Sequence, residues 1–256
     1  MTDTLSIKQL NLTLSGTHIL RDISMSVRDG QMVALIGPNG SGKTSLLNCI
    51  GGLQTDFTGT VTLDNQNVSE MKQTRLAQQL AYLHQHMPAN LNLTAQQVVE
   101  LGLIPHLSPW GRLSQSQQVD IQQAIHRVGL NSLAERAFSS LSGGEKQRVL
   151  IAKTIVQRPM YLLMDEPTNH LDIRHQMDTL SMVKSLGLTT IACIHDVNLA
   201  LAVCDHIVCL NDGAVVFDCP SSEVKAEDFA AVYDIECQLD NEPYHGRKRL
   251  NIRWQS

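Results

Sequence analysis

Eight consecutive residues, Gly37-Pro38-Asn39-Gly40-Ser41-Gly42-Lys43-Thr44, fit the pattern G-x-x-x-x-G-K-[ST]. Residues of these types at this spacing suit an anion. Glycines let the backbone approach without a Cβ in the way, so successive N–H groups can aim at phosphate oxygens. Lys43 adds a point charge, and Thr44 brings a hydroxyl to where a Mg²⁺ ion would sit. Ser45-Leu46-Leu47-Asn48-Cys49-Ile50 then reads as the first turns of a helix whose positive end faces the phosphates. A chance match would arise in roughly one chain of this length in a hundred, so the setting has to decide. Gln31-Met32-Val33-Ala34-Leu35-Ile36 is an apolar run that reads as a buried strand feeding the loop, which is the setting the motif requires.

Two further stretches could complete a phosphate-cleaving site. Leu162-Leu163-Met164-Asp165-Glu166 reads as a buried strand ending in two carboxylates. Asp165 can hold the metal through water while Thr44 binds it directly, and Glu166, pointing differently, can orient or deprotonate an attacking water. Leu141-Ser142-Gly143-Gly144-Glu145 is more specific, expected by chance in roughly one such chain in two thousand. Ser142 and Glu145 form an S-x-x-E capping box, and residues 146–156 continue as a helix with Val149 and Ala152 on one side. Capping explains Ser142 and Glu145 but not the two glycines, which weaken a first turn by roughly 1 kcal/mol each. A helix start bare of side chains at Gly143 and Gly144 can bind an anion.

The elements that must position these groups follow from periodicity. Residues 5–27 alternate in short pieces around Ser15-Gly16, which predicts antiparallel strands, and Asp29-Gly30 marks a tight turn into the strand before the loop. A strand and turn are expected over 57–64, a helix over 74–79 and a strand over 80–85. From about 94 to 157 the chain turns Gln-rich and helical, punctuated by Pro105, Pro109 and Gly111. Strands resume over 160–164, 189–194 and 206–210, and their alternation with helices predicts a parallel sheet covered on both faces.

At 256 residues with 43% hydrophobic content the chain can bury a sizeable core. A net charge of −5 argues against a general nucleic-acid binder. No N-terminal signal pattern is visible, and no apolar run approaches the roughly 18 residues of a membrane span, so any work at a membrane is expected to pass through a partner. The six cysteines show no C-x-x-C pair and read as reduced thiols. Among ten histidines, His84 and His86 would share one strand face, a weak case for zinc against two packed or surface imidazoles. The tail 243–256, with Arg247, Lys248, Arg249 and Arg253, is expected to be a solvated basic end.

Taken in order, the P-loop, Gln85 at a strand end, Leu-Ser-Gly-Gly, Asp165-Glu166, the Asn169-His170-Leu171-Asp172 stretch and His195 after a later strand resemble the nucleotide-binding subunit of an ABC transporter over nearly the whole chain. The resemblance implies an α/β P-loop NTPase (RecA-like) core with an N-terminal antiparallel β subdomain and an inserted α-helical subdomain. The expected division is a single domain 1–256, with 1–87 and 159–256 as the α/β core and 88–158 as the helical part.

It also implies a site. The cofactors are ATP and Mg²⁺. Gly37, Pro38, Asn39, Gly40, Ser41, Gly42, Lys43, Thr44 and Ser45 hold the phosphates, and Thr44, Asp165 and Gln85 serve the metal. Gln85, as the Q-loop glutamine, also links metal and water to the transporter interface; Glu166 acts on water, Lys43 on the leaving oxygens, and His195, as the switch histidine, on the γ-phosphate. In the family two copies pack head to tail. Ser142, Gly143, Gly144 and the D-loop residue Asp172 are then expected to act on the other copy, so one chain should need a second to hydrolyse ATP.

Leu101-Gly102-Leu103-Ile104-Pro105-His106-Leu107-Ser108-Pro109-Trp110-Gly111-Arg112-Leu113-Ser114, the stretch Leu171-Asp172-Ile173-Arg174-His175-Gln176 and the ending Pro243-Tyr244-His245-Gly246 resemble the importers of iron-siderophore, haem and cobalamin. Their partners would be membrane permease subunits with a periplasmic or surface substrate-binding protein, and their place the cytoplasmic face of the inner or cell membrane as a peripheral subunit. Leu103 departs from an Arg common in that group. No Phe, Trp or Tyr precedes Phe57, so His18 or an aliphatic neighbour is expected against the adenine. The rival classes are a soluble ABC ATPase of DNA repair or translation and a nucleotide-gated binding module. Against the first, only 55 residues separate Gln85 from Leu141, with no sustained heptads, and there is one cassette. Against the second stand Asp165, Glu166 and His195.

Overall fold

The computed structural model describes residues 3–83, 92–108, 113–169, 171–241 and 247–253. The chain opens with strands β1 (Asp3–Leu14) and β2 (Thr17–Arg28), joined by Ser15-Gly16, then β3 (Met32–Ile36) and helix α1 (Lys43–Ile50). Next come β4 (Thr58–Leu63), β5 (Gln66–Asn67), α2 (Gln73–Gln79) and β6 (Leu80–Leu83). Three helices follow, α3 (Ala95–Glu100), α4 (Gln115–Arg127) and α5 (Gly143–Gln157). The rest alternates: β7 (Tyr161–Asp165), α6 (Ile173–Lys184), β8 (Thr189–Cys193), α7 (Val197–Val203), β9 (His206–Asn211), β10 (Ala214–Pro220), α8 (Ala226–Tyr233), β11 (Cys237–Asn241) and β12 (Lys248–Ile252).

Two sheets carry this order. The first runs β2-β1-β4-β5 and is antiparallel throughout. Its first two strands are long and continuous rather than a series of short pieces; register shifts between residues 7 and 13 of β1 absorb the breaks in alternation that make the sequence read as fragments. The second sheet runs β10-β9-β3-β8-β7-β6, parallel except for β10 at its edge. This is the mixed α/β fold expected, with the strand that feeds the P-loop in the interior of the sheet.

A period of two divides the strands between two cores. Met32, Ala34 and Ile36 of β3, with Leu162 and Met164 of β7, join a core that also takes Val98, Ile125, Val149 and Ile151 of α3, α4 and α5. Val33 and Leu35, with Tyr161 and Leu163, turn to the opposite core, which holds α1 and the antiparallel sheet. Leu103 is buried in the helical core, an aliphatic contact at the position where the resemblance leads one to expect Arg.

Each of the three central helices starts on the same local device. Thr94 with Gln97, Ser114 with Gln117 and Ser142 with Glu145 all form reciprocal capping boxes. The C-terminal region departs from expectation. Residues 248–252 pair with β11, Leu250 is buried, and Asn198 of α7 bonds both the N–H and the C=O of Leu250. Lys248 Nζ donates to the Val224 carbonyl. A basic composition suggested a solvated end, whereas the strand is docked by alternation and backbone pairing.

Candidate functional site

β3, β8 and β7 are parallel neighbours, so the loops that follow them open along one edge of the sheet, where α/β folds bind ligands. The loop after β3 is the phosphate-binding motif. Gly37 has φ 140°, and a methyl group added there would lie 2.0 Å from the Leu210 carbonyl oxygen of β9, so only glycine fits. Lys43 is 7% exposed and folds back over the loop, donating to the carbonyls of Gly37 at 2.9 Å and Pro38 at 2.8 Å. Pro38, Asn39, Gly40 and Ser41 form the turn between, with the Ser41 N–H bonded to Pro38 O and the Ser41 carbonyl accepting from Gly213 N–H. Gly42 stands just before α1, whose first residues are Lys43, Thr44 and Ser45.

Thr44 Oγ1 donates to Asp165 Oδ1 at 3.1 Å. The two oxygens thus come from the start of α1 and the end of β7, 121 residues apart in the chain, and meet at one point. Hard oxygen donors of this kind suit Mg²⁺. Asp165 also lies beside the buried Cys193, whose thiol is pushed well above its ordinary range by burial and then by that carboxylate. Burial, with Asp165 and Cys193 adding to it, likewise raises the phenol of Tyr82, whose hydroxyl donates to Asn48 Oδ1 at 3.0 Å.

Glu166 leaves the strand in the left-handed region, at φ 51°, a conformation uncommon for a side-chain-bearing residue. This turn separates its carboxylate from that of Asp165. His195 Nε2 meets Glu166 Oε1 at 2.5 Å, and Asn169 Nδ2 donates to Oε2, so both oxygens are engaged. The pair remains partly open, with 22% of the Glu166 and 38% of the His195 side chain exposed. A carboxylate held this way can steer a water, and an imidazole beside it can donate to a phosphate oxygen.

Four expected residues stand elsewhere. Ser142 caps α5, accepting from Glu145 N–H while Glu145 Oε2 accepts from Ser142 N–H and Oγ, both at 2.8 Å; these Ser142 bonds hold the Glu145 carboxyl below its ordinary range. Gly143 and Gly144 form the first turn of that helix. Asp172 caps α6, accepting from the His175 N–H at 2.8 Å, and this bond, followed by the His175 side chain, lowers its carboxyl. None of Ser142, Gly143, Gly144 or Asp172 is joined by a side-chain hydrogen bond to Lys43, Thr44, Asp165, Glu166 or His195 among the described residues. Gln85, His84 and His86 lie outside the described residues, as do His170 and 243–246.

His18 is exposed on β2 and bonded to Thr13 Oγ1 at 3.0 Å; its neighbours Ile19 and Leu20 pack under Gly42. Reading the sequence for chemistry missed Asn169 as a partner of Glu166. Its signal was spacing, an amide three residues beyond the carboxylate. Among the described residues no cluster of His, Cys, Asp and Glu is arranged to hold a metal, and no helix is long and apolar enough to cross a membrane.

A family model described as ABC transporter matches residues 20–169. The cobalamin import ATP-binding protein BtuD of Halobacterium salinarum is 37% identical over 248 residues, 95% of this chain and 62% of that protein, so the chain spans less than two thirds of this relative. The hemin import ATP-binding protein HmuV of Rhodococcus jostii is 35% identical, with 95% and 84% covered. The iron(3+)-hydroxamate import ATP-binding protein FhuC of Bacillus subtilis is 32% identical, with 94% and 91% covered. Among solved structures, an inward-facing ABC transporter described as of metal-chelate type superposes with TM-score 0.86 at 21% identity over 99% of this chain and 98% of that one, a likeness of fold. A dimeric post-hydrolysis ATP-binding cassette bound to ADP and phosphate superposes with TM-score 0.72 at 27% identity, with 84% and 98% covered.

Proposed function

The chain belongs to the ABC transporter family, and from that premise we propose that it is the ATP-hydrolysing subunit of an importer for an iron-siderophore complex, haem or cobalamin. One observation carries the reading: the sheet edge gathers Lys43, the 3.1 Å Thr44–Asp165 contact and the 2.5 Å Glu166–His195 contact from three separate strand ends. That is the equipment of phosphoryl transfer to water, where catalysis is positioning and charge stabilisation rather than covalent chemistry.

In this reading residues 37–45 cradle the phosphates through backbone N–H groups, and Lys43 exchanges its carbonyl contacts for phosphate oxygens. Thr44 and Asp165, with Gln85, would hold Mg²⁺, which when bound would neutralise phosphate charge. Glu166 orients the attacking water and takes its proton at Oε1 or Oε2, while His195 donates from the imidazole to the γ-phosphate. Ser142, Gly143, Gly144 and Asp172 serve the nucleotide of a second copy, packed head to tail; that none of them shares a side-chain hydrogen bond with Lys43, Thr44, Asp165, Glu166 or His195 among the described residues supports this. Base recognition is slight, with His18 or an aliphatic neighbour against the adenine.

The helical part, 88–158, carries motion from the α/β core, 1–87 and 159–256, to membrane permease subunits that are fed by a periplasmic or surface substrate-binding protein. The subunit then sits peripherally on the cytoplasmic face of the membrane. The relatives named for cobalamin, hemin and iron(3+)-hydroxamate import support this substrate group.

The test is the Glu166→Gln variant with ATP. Binding is retained, turnover falls by about 10²–10⁴-fold as expected for loss of a general base, and the protein accumulates as an ATP-bound dimer by size-exclusion chromatography. Near-normal turnover of the purified variant removes Glu166 from the role. Purification of the tagged chain from membranes should bring down a permease; recovery of ribosomes or DNA-repair proteins instead overturns the transport assignment.

A further inference from the structure

His175 joins two helix starts, of α5 and α6, that both serve the neighbouring copy on the reading above. Its N–H donates to Asp172 Oδ1 at 2.8 Å and its ring Nδ1 lies 2.7 Å from Asp172 Oδ2, so one residue holds both oxygens of that carboxylate. The far edge of the same ring lies against Gly144. A methyl group added at Gly144 would stand 3.0 Å from His175 Cδ2 and 3.4 Å from Cγ, so the imidazole occupies the space the missing side chain leaves. The next residue completes the attachment. Gln176 Nε2 donates to the Thr168 carbonyl at 3.1 Å, tying α6 to the other end of the loop that carries Asn169 and Asp172.

Exposure argues against a core role. Half of the His175 side chain and 65% of the Asp172 side chain are open to solvent, and an exposed i,i+3 pair contributes little to stability. What the ring does instead is fix the position of Asp172 relative to Gly144, across two elements distant in sequence. We infer that His175 is a positioning residue, setting Asp172 and the Gly143-Gly144 turn in one register so that both reach the second copy's nucleotide together. The inference rests on the dimeric ATPase reading. A misplaced group of this kind acts on the reaction rate, because orientation errors of an ångström carry large kinetic penalties.

Four measurements test it on the full chain. His175→Ala should lower kcat about tenfold with KM for ATP changed less than about twofold, because the P-loop of the same chain is untouched. His175→Asn, which can keep a donor for Asp172, should recover part of the loss. Gly144→Ala should be less harmful in the His175→Ala background than alone, since the added methyl then meets no ring; a double-mutant cycle in kcat reads this coupling. Hydrogen exchange on the nucleotide-free protein should show faster exchange in 167–172 for His175→Ala, with 176–184 unchanged.

Wild-type kcat in His175→Ala, strict additivity with Gly144→Ala, or loss of protection spread over the whole chain overturns the proposal. Failure of the wider reading looks different. A wild-type chain with no ATPase activity, but with the localised exchange change and His175→Asn restoring protection, rejects the hydrolysis assignment and leaves the positioning role supported.

Discussion

At the scale of single residues, the site depends on backbone conformation as much as on side-chain type. Glu166 is identifiable as a carboxylate after a strand, but its left-handed φ of 51° is what turns it from Asp165 toward His195 and Asn169. Nothing in the residue type announces that turn, since non-glycine residues seldom adopt it and tertiary contacts impose it. Gly37 is the opposite case, where the residue type is the signal. A Cβ there would sit 2.0 Å from the Leu210 carbonyl, and because the obstacle is backbone, no rotamer change relieves it. Gly37→Ala should therefore cost about 2–3 kcal/mol, a drop of roughly 4–12 °C in Tm, and weaken ATP binding as the loop moves. Calorimetry with and without ATP checks this, and an unchanged Tm with normal affinity would show that β9 yields at no cost.

Secondary-structure elements were legible wherever a local rule acts alone. The strand before the P-loop, the helix after it and the start of α5 at Ser142 all follow from apolar runs, glycine spacing and the S-x-x-E box. β12 was not legible, because its place depends on β11 and on Asn198 of α7, partners that no window of the tail contains. The α5 box makes a prediction about pH. Its bonds to Ser142 lower the folded-state pKa of Glu145 relative to the unfolded chain. A depressed carboxylate adds stability that is present above its ordinary value and is lost as pH falls through the folded value. Glu145→Gln keeps a capping acceptor without the charge, so it should melt slightly below wild type at neutral pH. That difference should close as the pH is taken toward about 2, with the group's exposure keeping the effect small. A constant gap in Tm across this range would mean that the charge contributes nothing to the cap.

At the scale of the whole molecule, the described chain carries two half-sites that no side-chain hydrogen bond joins among the described residues. Lys43, Thr44, Asp165, Glu166 and His195 converge on one sheet edge, while Ser142 and Asp172 cap α5 and α6 and bond within their own elements. If each active site takes its P-loop from one copy and its Ser142 from the other, defects in the two halves must complement. Lys43→Ala alone leaves every homodimer with two damaged P-loops, and Ser142→Arg alone leaves two blocked Leu-Ser-Gly-Gly turns. A mixed dimer of the two variants places both lesions in one site and leaves the other intact. Random pairing makes about half the dimers mixed, each with one working site of two, so an equimolar mixture should regain about a quarter of wild-type activity. The activity should also rise faster than linearly with total protein, because association precedes turnover. Two inactive variants that stay inactive when mixed, at concentrations where the wild type is dimeric with ATP, would place the complete site within a single chain and remove the need for a second copy.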